Sequence, residues 1–454
     1  MTIDSVLPPK LRVAIIGAGP AGLGAAIEFA KLPFVELRVY EQARELREVG
    51  AGISIQQNTW RMLDVFGVYD NIDPKDLFRP ADGHSVQHRN GRTGELLLSK
   101  AQEGTPPRYL HARTLRSVLQ QALLKGVDKS KLRLSSRLAE IVQLASGAFF
   151  LRFEDGHTDE VDLLVGADGV RSVVRQFAHP DHRLKYIGTT AYRALADARD
   201  ILSIPGIPDS VTFWHGPADR LYTCNLKNNV YEIAARVPQT AETAPVSWGQ
   251  DASVEEFSWR YKDFSPALQS VLDKIKVVKK FALFSGPRLS SVISHGSIAL
   301  IGDASHLLTG LGAGAAFALE DVYVLTRAVK WAHERGLPIQ DGLELFDRVR
   351  APHYAAMYDI LDGYGKSDVS VKATDDFDEA VSMIVANKWD DDHGWLYSYN
   401  VCYHRKYWFR ILICVLGRGG VEGNLRGRGC SARRGGAVSS WRRVELAAVD
   451  TEVG

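Results

Sequence analysis

The sequence predicts an α/β protein: a parallel-sheet, dinucleotide-binding unit interrupted by an antiparallel β insert and followed by C-terminal helices. Three observations predict it. A strand, a glycine cluster, a helix and a second strand open the chain at Leu11–Glu41. An aromatic-rich, β-prone texture runs from about Leu184 to Arg288. A second buried-strand pattern, Ser297–Ile301, then leads into Gly302-Asp303 and a long helix.

Val13, Ala14, Ile15 and Ile16 form a short apolar run, the pattern of a buried parallel strand. Gly17, Gly19 and Gly22 follow at the spacing G-x-G-x-x-G. The first glycine makes a tight turn, the second lets backbone approach a pyrophosphate, and the third lets the helix pack close to the strand. The helix spans about Pro20–Lys31, its first amides aimed at phosphates. Glu36–Tyr40 reads as the next strand and ends in Glu41, where a carboxylate reaches ribose hydroxyls. A glycine cluster at Gly50, Ala51 and Gly52 precedes a helix over Asn58–Phe66. Asp70–Pro107 is rich in turn dipeptides, with a short strand at Gly94–Ser99. Leu115–Leu124 has helical spacing, while Ile141–Phe153 and Asp162–Val165 read as strands, the latter running into Gly166-Ala167-Asp168-Gly169.

The insert is read from Tyr186–Ala196, Ser210–Trp214, Arg220–Leu226 and Val230–Val237 as strands, then small helices at Ser253–Tyr261 and Ser265–Ile275. Beyond it, Ser297–Ile301 is a strand, and Ala315–Glu334, Gly342–Ala356 and Asp376–Ala386 are helices. The expected division is therefore 1–183 and 291–400 for the nucleotide-binding unit with its C-terminal helices, and 184–290 for the β insert. Residues 401–454 have neither hydrophobic period nor turn logic and read as a disordered tail or as sequence not selected for folding, with a basic nucleic-acid-binding arm as the alternative.

Composition narrows the class. The 454 residues suffice for two or three domains, and 45% hydrophobic with 24% charged residues is ordinary for a water-soluble chain. A net charge of +1 gives no general case for nucleic acid, although the last 50 residues alone carry ten basic and four acidic side chains. Four scattered cysteines, Cys224, Cys402, Cys414 and Cys430, make neither a disulfide framework nor a metal spacing and suit a reducing, cytoplasmic compartment. The N-terminus lacks a secretion pattern, and no apolar run reaches the roughly 20 residues of a membrane span.

The opening unit, DLLVGADGVRSVVR (Asp162–Arg175) and LIGDASH (Leu300–His306) stand in order on one chain. Together they resemble the single-component FAD-dependent aromatic monooxygenases, the salicylate-hydroxylase-like group and especially its fungal branch. The resemblance spans about residues 11–400. It implies a Rossmann-like FAD-binding domain of the GR2 type with an inserted β substrate domain. It implies FAD contacts from Gly17, Gly19, Gly22, Glu41, Ala51, Gly52, Arg113, Asp168 and Asp303, and from the backbone of Gly314, Ala315 and Ala316. Asp168 lies in the family motif that also serves the nicotinamide pyrophosphate, and Arg171 and Arg175 would attract its phosphates. No second G-x-G-x-x-G is present, in keeping with NAD(P)H as a transient reductant.

Arg193 matches an arginine that fungal relatives use to hold a phenolate, and Tyr222 lies where a partner hydroxyl occurs. A guanidinium forms a planar, always-charged fork that favours an ionised phenol, the nucleophilic form of the ring. Trp214 and His215 are candidates for the same pocket. The loop after His306 departs from the family pattern, with Leu307 in place of a proline and one residue fewer. The expected reaction is NAD(P)H- and O2-dependent hydroxylation of a small phenolic or polyketide substrate in secondary metabolism, with loss of CO2 from a salicylate- or orsellinate-like acid. Two alternatives are an epoxidase or dehydrogenase of the same fold, and a homologue impaired at the shortened loop and tail.

Overall fold

Val13, Ala14 and Ile15 have no exposed surface and Ile16 is 5% exposed, because their strand, Leu11–Ile16, sits in the middle of a sheet covered on both faces. The computed structural model describes residues 10–46, 52–240, 249–307, 312–370, 374–388 and 395–402. The tail beyond 402, with Cys414 and Cys430, lies outside the described residues, as does Ala51. Leu11–Ile16 pairs in parallel with Val35–Tyr40 on one side and Leu163–Gly166 on the other. Leu163–Gly166 pairs in turn with Ile298–Leu300, so the strand after the insert completes the sheet begun at the N-terminus. Leu132–Arg133 and the antiparallel Ile293–Ser294 close the edges of this six-stranded sheet.

The opening helix, Pro20–Ala30, carries Pro at its first turn, where the missing N–H costs nothing. Its small residues let it pack against the long helix Gly314–His333; a Cβ on Gly24 would come 3.0 Å from Leu319. Ile141–Phe153, read as one strand, is two: Leu138–Gln143 and Phe149–Phe153 turn back on each other through Gly147 at φ +87°. With Thr158–Val161 they form a small antiparallel sheet. The helix expected over Gly342–Ala356 is longer, Ile339–Ser370, and continues through Pro352.

The second large sheet has eight strands, in the order Gln250–Ala252, Val278–Ser285, Lys185–Asp197, Val230–Pro238, Arg220–Asn225, Thr212–His215, Val86–Asn90 and Leu96–Lys100. Neighbours are antiparallel except Thr212–His215 with Val86–Asn90. Two of its strands thus come from 86–100: one near that read at Gly94–Ser99, and Val86–Asn90, which the turn dipeptides obscured. One face packs on Ala198–Leu202 and Pro266–Asp273 through Tyr192, Ile233, Leu221 and Leu268. The opposite face, one residue out of phase, turns towards the nucleotide-binding half. There Leu226 and Cys224 cluster with Phe78, and Tyr222 and Leu115 pack against the same cluster.

Candidate active site

The carboxyl ends of the parallel strands form a cradle suited to a dinucleotide. Gly17 has φ +102°, a conformation that L side chains rarely adopt, and a Cβ there would stand 2.4 Å from the Ala167 carbonyl oxygen. A Cβ on Gly22 would strike the Gly17 carbonyl at 1.9 Å, whereas one on Gly19 would meet nothing within 4 Å. The second glycine therefore borders open space, the place where backbone approaches a phosphate. The helix behind it has Gly19 at its cap, no capping side chain and no acid in its first turn, so its orphan amides remain for an anion. Glu41, half-buried, accepts the amides of Ala18 and Ala43, both at 2.8 Å, which binds it to the glycine turn.

A second recess lies at Gly302–Ala304. Asp303 faces open space, yet protein walls enclose it and raise its pKa against the pull of His306, Arg116 and Arg175. The long helix starts 3.9 Å from it, measured from a Cβ built on Gly314 to Asp303 Oδ1. That helix too lacks a side-chain cap or an early acid; Ala315 is half-buried and Ala316 buried at its first turn. Two uncapped helix N-termini and two carboxylates thus border open or recessed space in the nucleotide-binding half, and this donor set fits the phosphates, ribityl chain and ring edge of FAD.

The other expected contacts are placed differently. Asp168 accepts from the Ser172 hydroxyl (2.5 Å) and the Val173 amide (2.7 Å), capping the short helix Val173–Ala178, and burial raises its pKa. Arg175 is buried, not on a solvated face. Its guanidinium donates to the carbonyls of Asp303 (3.1 Å), Ala304 (3.0 Å) and Val170, so it fastens the Asp303 turn. Arg171 is exposed and lies over the Phe284 ring, 5.6 Å from its centroid.

Beneath the same turn lies a buried ion network that sequence reading missed. Asp321, fully buried on the long helix, accepts from the Gly302 amide (3.0 Å), Arg350 Nε (2.7 Å) and the Tyr354 hydroxyl (2.6 Å), and lies 2.9 Å from His306 Nε2. Burial opposes its charge, but Arg350 and His306 hold its pKa below the usual range. Arg350 also donates to Glu320 at 3.1 Å, and Glu320 accepts from Asn58 at 2.9 Å.

At the seam between the two large sheets a second buried carboxylate collects the arginines. Glu232, 1% exposed, accepts from Arg113 Nη2 at 2.5 Å and from the Gly52 amide at 3.0 Å, with Arg193 Nη1 at 3.5 Å. Burial alone would raise its pKa, but Arg113 and Arg193 hold it down. Arg113 also donates to Ser54 (3.0 Å), and its guanidinium lies 5.4 Å from the centroid of the Tyr222 ring. A Cβ on Gly52 would fall 2.4 Å from both Arg113 Nη2 and Glu232 Oε2, so a side chain there would displace the ion pair.

The structure therefore brings together Gly52, Arg113, Arg193 and Tyr222, with Glu232 at their centre. Trp214 is not among them. Strand alternation turns it into the helix-packed core, where its Nε1 donates to Thr223 at 2.9 Å. His215 points to the other face but is buried, 3.0 Å from His88. Glu232 had one sequence signal: an acid between Tyr231 and Ile233 in a β run has to be paired if it is buried.

A glycine-turn cradle at the strand ends of a parallel sheet, with a second sheet whose buried Glu232 binds Gly52, Arg113 and Arg193, defines a dinucleotide-binding flavoprotein. The FAD binding domain family matches residues 10–360, and the chain belongs to it; its homologues are FAD-dependent monooxygenases. The chain is 29% identical over 373 residues to a salicylate hydroxylase of Pseudomonas putida, covering 76% of this chain and 82% of that one. It is 29% identical over 321 residues to a 3-amino-4-hydroxybenzoate 2-monooxygenase of Streptomyces platensis, covering 69% and 78%. A solved salicylate hydroxylase substrate complex has the same fold, with TM-score 0.71 at 22% identity over 88% of this chain and 98% of that one. No helix among the described residues is long and apolar enough to cross a membrane.

Proposed function

We propose that the chain hydroxylates a phenolic aromatic substrate with NAD(P)H and O2, and that Arg193 and Tyr222 contact the substrate. The observation that carries this reading is the pair of arginines, Arg193 on the sheet face and Arg113 opposite it, gathered by one buried carboxylate beside Tyr222. Gly17, Gly19, Gly22, Glu41, Gly52, Arg113, Asp168, Asp303 and the amides of Gly314, Ala315 and Ala316 are the proposed FAD-holding set, with Ala51 outside the described residues. Bound FAD, reduced by NAD(P)H, supplies the activation of O2 to an electrophilic oxygen.

The rest falls to this chain's own side chains. Arg193 is tied to Glu232 by a single long contact and its side chain is 36% exposed, so its fork stays available to an oxyanion. It would favour the ionised form of a phenol and so raise the electron density of the ring. Burial holds the Tyr222 hydroxyl protonated, its pKa well above the ordinary value despite Arg113, so it donates a hydrogen bond to the same oxygen. The sheet face covers the ring and keeps water from diverting the activated oxygen. Arg171, exposed beside the Asp168 turn, is the proposed first contact of the reductant's phosphates. The free thiols of Cys224 and Cys402 favour a reducing, cytoplasmic setting.

The support from relatives is that two of them are named for hydroxybenzoate-type substrates. A salicylate- or orsellinate-like acid attacked at the carboxyl-bearing carbon would lose CO2; a larger phenolic polyketide would be hydroxylated. Purified protein incubated with NADPH and a phenol panel tests the reading. Stimulated NADPH oxidation with an oxygenated product supports it. FAD-loaded protein that gives no stimulation across the panel overturns it.

A further inference from the structure

A cavity of about 200 Å³ opens where the second large sheet loses a strand. Lys185–Asp197 pairs with Val230–Pro238 as far as Asp197 and Val230, but with Val278–Ser285 only as far as Ala194 and Val278. The chain before Val278 leaves the ladder, so Leu195, Ala196 and Asp197 have one sheet edge without a partner strand. Leu195, Ala196 and Val230 give the cavity an apolar floor, and four charged side chains stand around it.

One of the four, Asp197, is satisfied within the protein: Arg199 donates to it at 2.9 Å and Asn229 at 2.6 Å. The others, Asp200, Lys274 and Lys276, are exposed and make no salt bridge or side-chain hydrogen bond among the described residues. One carboxylate and two ammonium groups are thus left over around an apolar floor and an unpaired backbone edge. The volume lies below the roughly 300–1,000 Å³ of sites for drug-sized ligands, so a smaller molecule fits.

The turn at 227–229 adjoins this cavity, and all three of its residues hold a positive φ, of 65°, 50° and 61°. Side chains other than glycine seldom adopt that conformation, and such strain gathers at ligand clamps and switches. Asn229 ties the turn to Asp197 at the cavity wall, while Asn228 donates to Asp76, before the seam, at 2.7 Å. Leu195 and Val230 also pack against the cluster of Phe78, Cys224 and Leu226. The cavity therefore borders the contact between the two large sheets, yet shares no residue with the glycine cradle or the Glu232 cluster.

We propose that this cavity is a second ligand site, for a small zwitterion of the α-amino-acid class. The ammonium group meets Asp200, the carboxylate meets Lys274 and Lys276, and an aliphatic side chain covers Leu195 and Val230. A simple acid or a simple amine leaves one sign of charge unmet. The charged groups stand at the rim, in water, so each contributes modestly.

The test uses FAD-loaded full-length protein with leucine as the probe, read by isothermal titration; melting temperature and flavin content report the fold. Leucine should bind saturably with a Kd of about 1 mM or below. Isocaproate, which lacks the amino group, and isopentylamine, which lacks the carboxyl group, should bind at least about fivefold more weakly. Asp200→Asn, and separately Lys274→Gln combined with Lys276→Gln, should each weaken leucine by about fivefold or more. Because all three side chains are exposed, these variants should melt with the wild-type protein. Absence of saturable leucine binding, acid or amine binding as tight as that of leucine, or full affinity in either variant would overturn the proposal.

Discussion

A single carboxylate, Glu232, sets the charge of the seam. It gathers Arg113, Arg193 and the Gly52 amide, and no other acid reaches these arginines at salt-bridge distance among the described residues. Removing one partner of a buried ion pair leaves the other charge uncompensated, at a cost of about 3–5 kcal/mol. Glu232→Gln should therefore lower unfolding free energy by roughly that amount, read from urea titrations. It should also alter flavin binding, because Arg113 loses its anchor. Gly52→Ala should act in the same direction, since the methyl group would collide with both ions. For the substrate contacts, Arg193→Ala should reduce kcat/KM for phenols by about ten- to a hundredfold, equivalent to the loss of one charge-assisted hydrogen bond. Tyr222→Phe should lose about tenfold with little change in melting temperature, because the ring and its packing on Phe213 survive. A comparable rate in Arg193→Ala would point to a substrate that needs no phenolate. The glycines and Glu41 were legible from sequence because they form one contiguous unit whose chemistry depends on local spacing. Glu232 was not, because its partners lie 39, 119 and 180 positions away and only the folded sheet brings them near.

At the scale of elements, strands and helices with one clear period were readable, and their limits failed where tertiary contact overrode local pattern. The helix read over Gly342–Ala356, through Pro352, runs further, Ile339–Ser370, and the turn around the proline is held because Arg350 and Tyr354, on either side of it, are bound by Asp321. The run Ile141–Phe153 hides a hairpin because both arms are apolar and the turn is short. The strand Val86–Asn90 carries His88, buried beside His215, and the strand Ala112–Leu115 is preceded by buried His111. Burial, with Lys100 and Arg220 near His88 and Arg113 near His111, pushes each pKa down to about 3. Both are therefore neutral in the folded chain, whereas the unfolded chain takes up protons near pH 6.5. Stability should be fully present above about pH 6.5 and fall as pH drops towards 3, by up to about 1.4 kcal/mol per pH unit for each histidine. Unfolding titrations between neutral pH and pH 4 check this, and a His111→Asn variant should show a shallower slope.

At the scale of the whole molecule, two buried ion networks, around Asp321 and around Glu232, tie segments far apart in sequence. The Asp321–Arg350 network carries no substrate contact, but through Gly302 and His306 it fixes the turn that presents Asp303. Asp321→Asn should cost about 3–5 kcal/mol of stability. It should also release FAD during gel filtration, seen as a fall in the flavin-to-protein absorbance ratio; full retention of flavin would separate the network from the cofactor. The division of the chain around an insert was visible in sequence because the buried-strand pattern stops and resumes. The contribution of 86–100 to the second sheet was not: the strand at Gly94–Ser99 was readable, but Val86–Asn90, which joins it to that sheet, carries little periodic signal.

The interleaving of the parallel sheet has a consequence for biosynthesis. Strand Leu163–Gly166 gains its outer neighbour only when Ile298–Leu300 has left the ribosome. At about 5–20 residues per second, Leu163–Gly166 waits roughly 7–27 s for that neighbour. During this interval an apolar strand edge is open to other nascent chains, so yield in a host should depend on chaperone supply more than the finished protein's stability suggests.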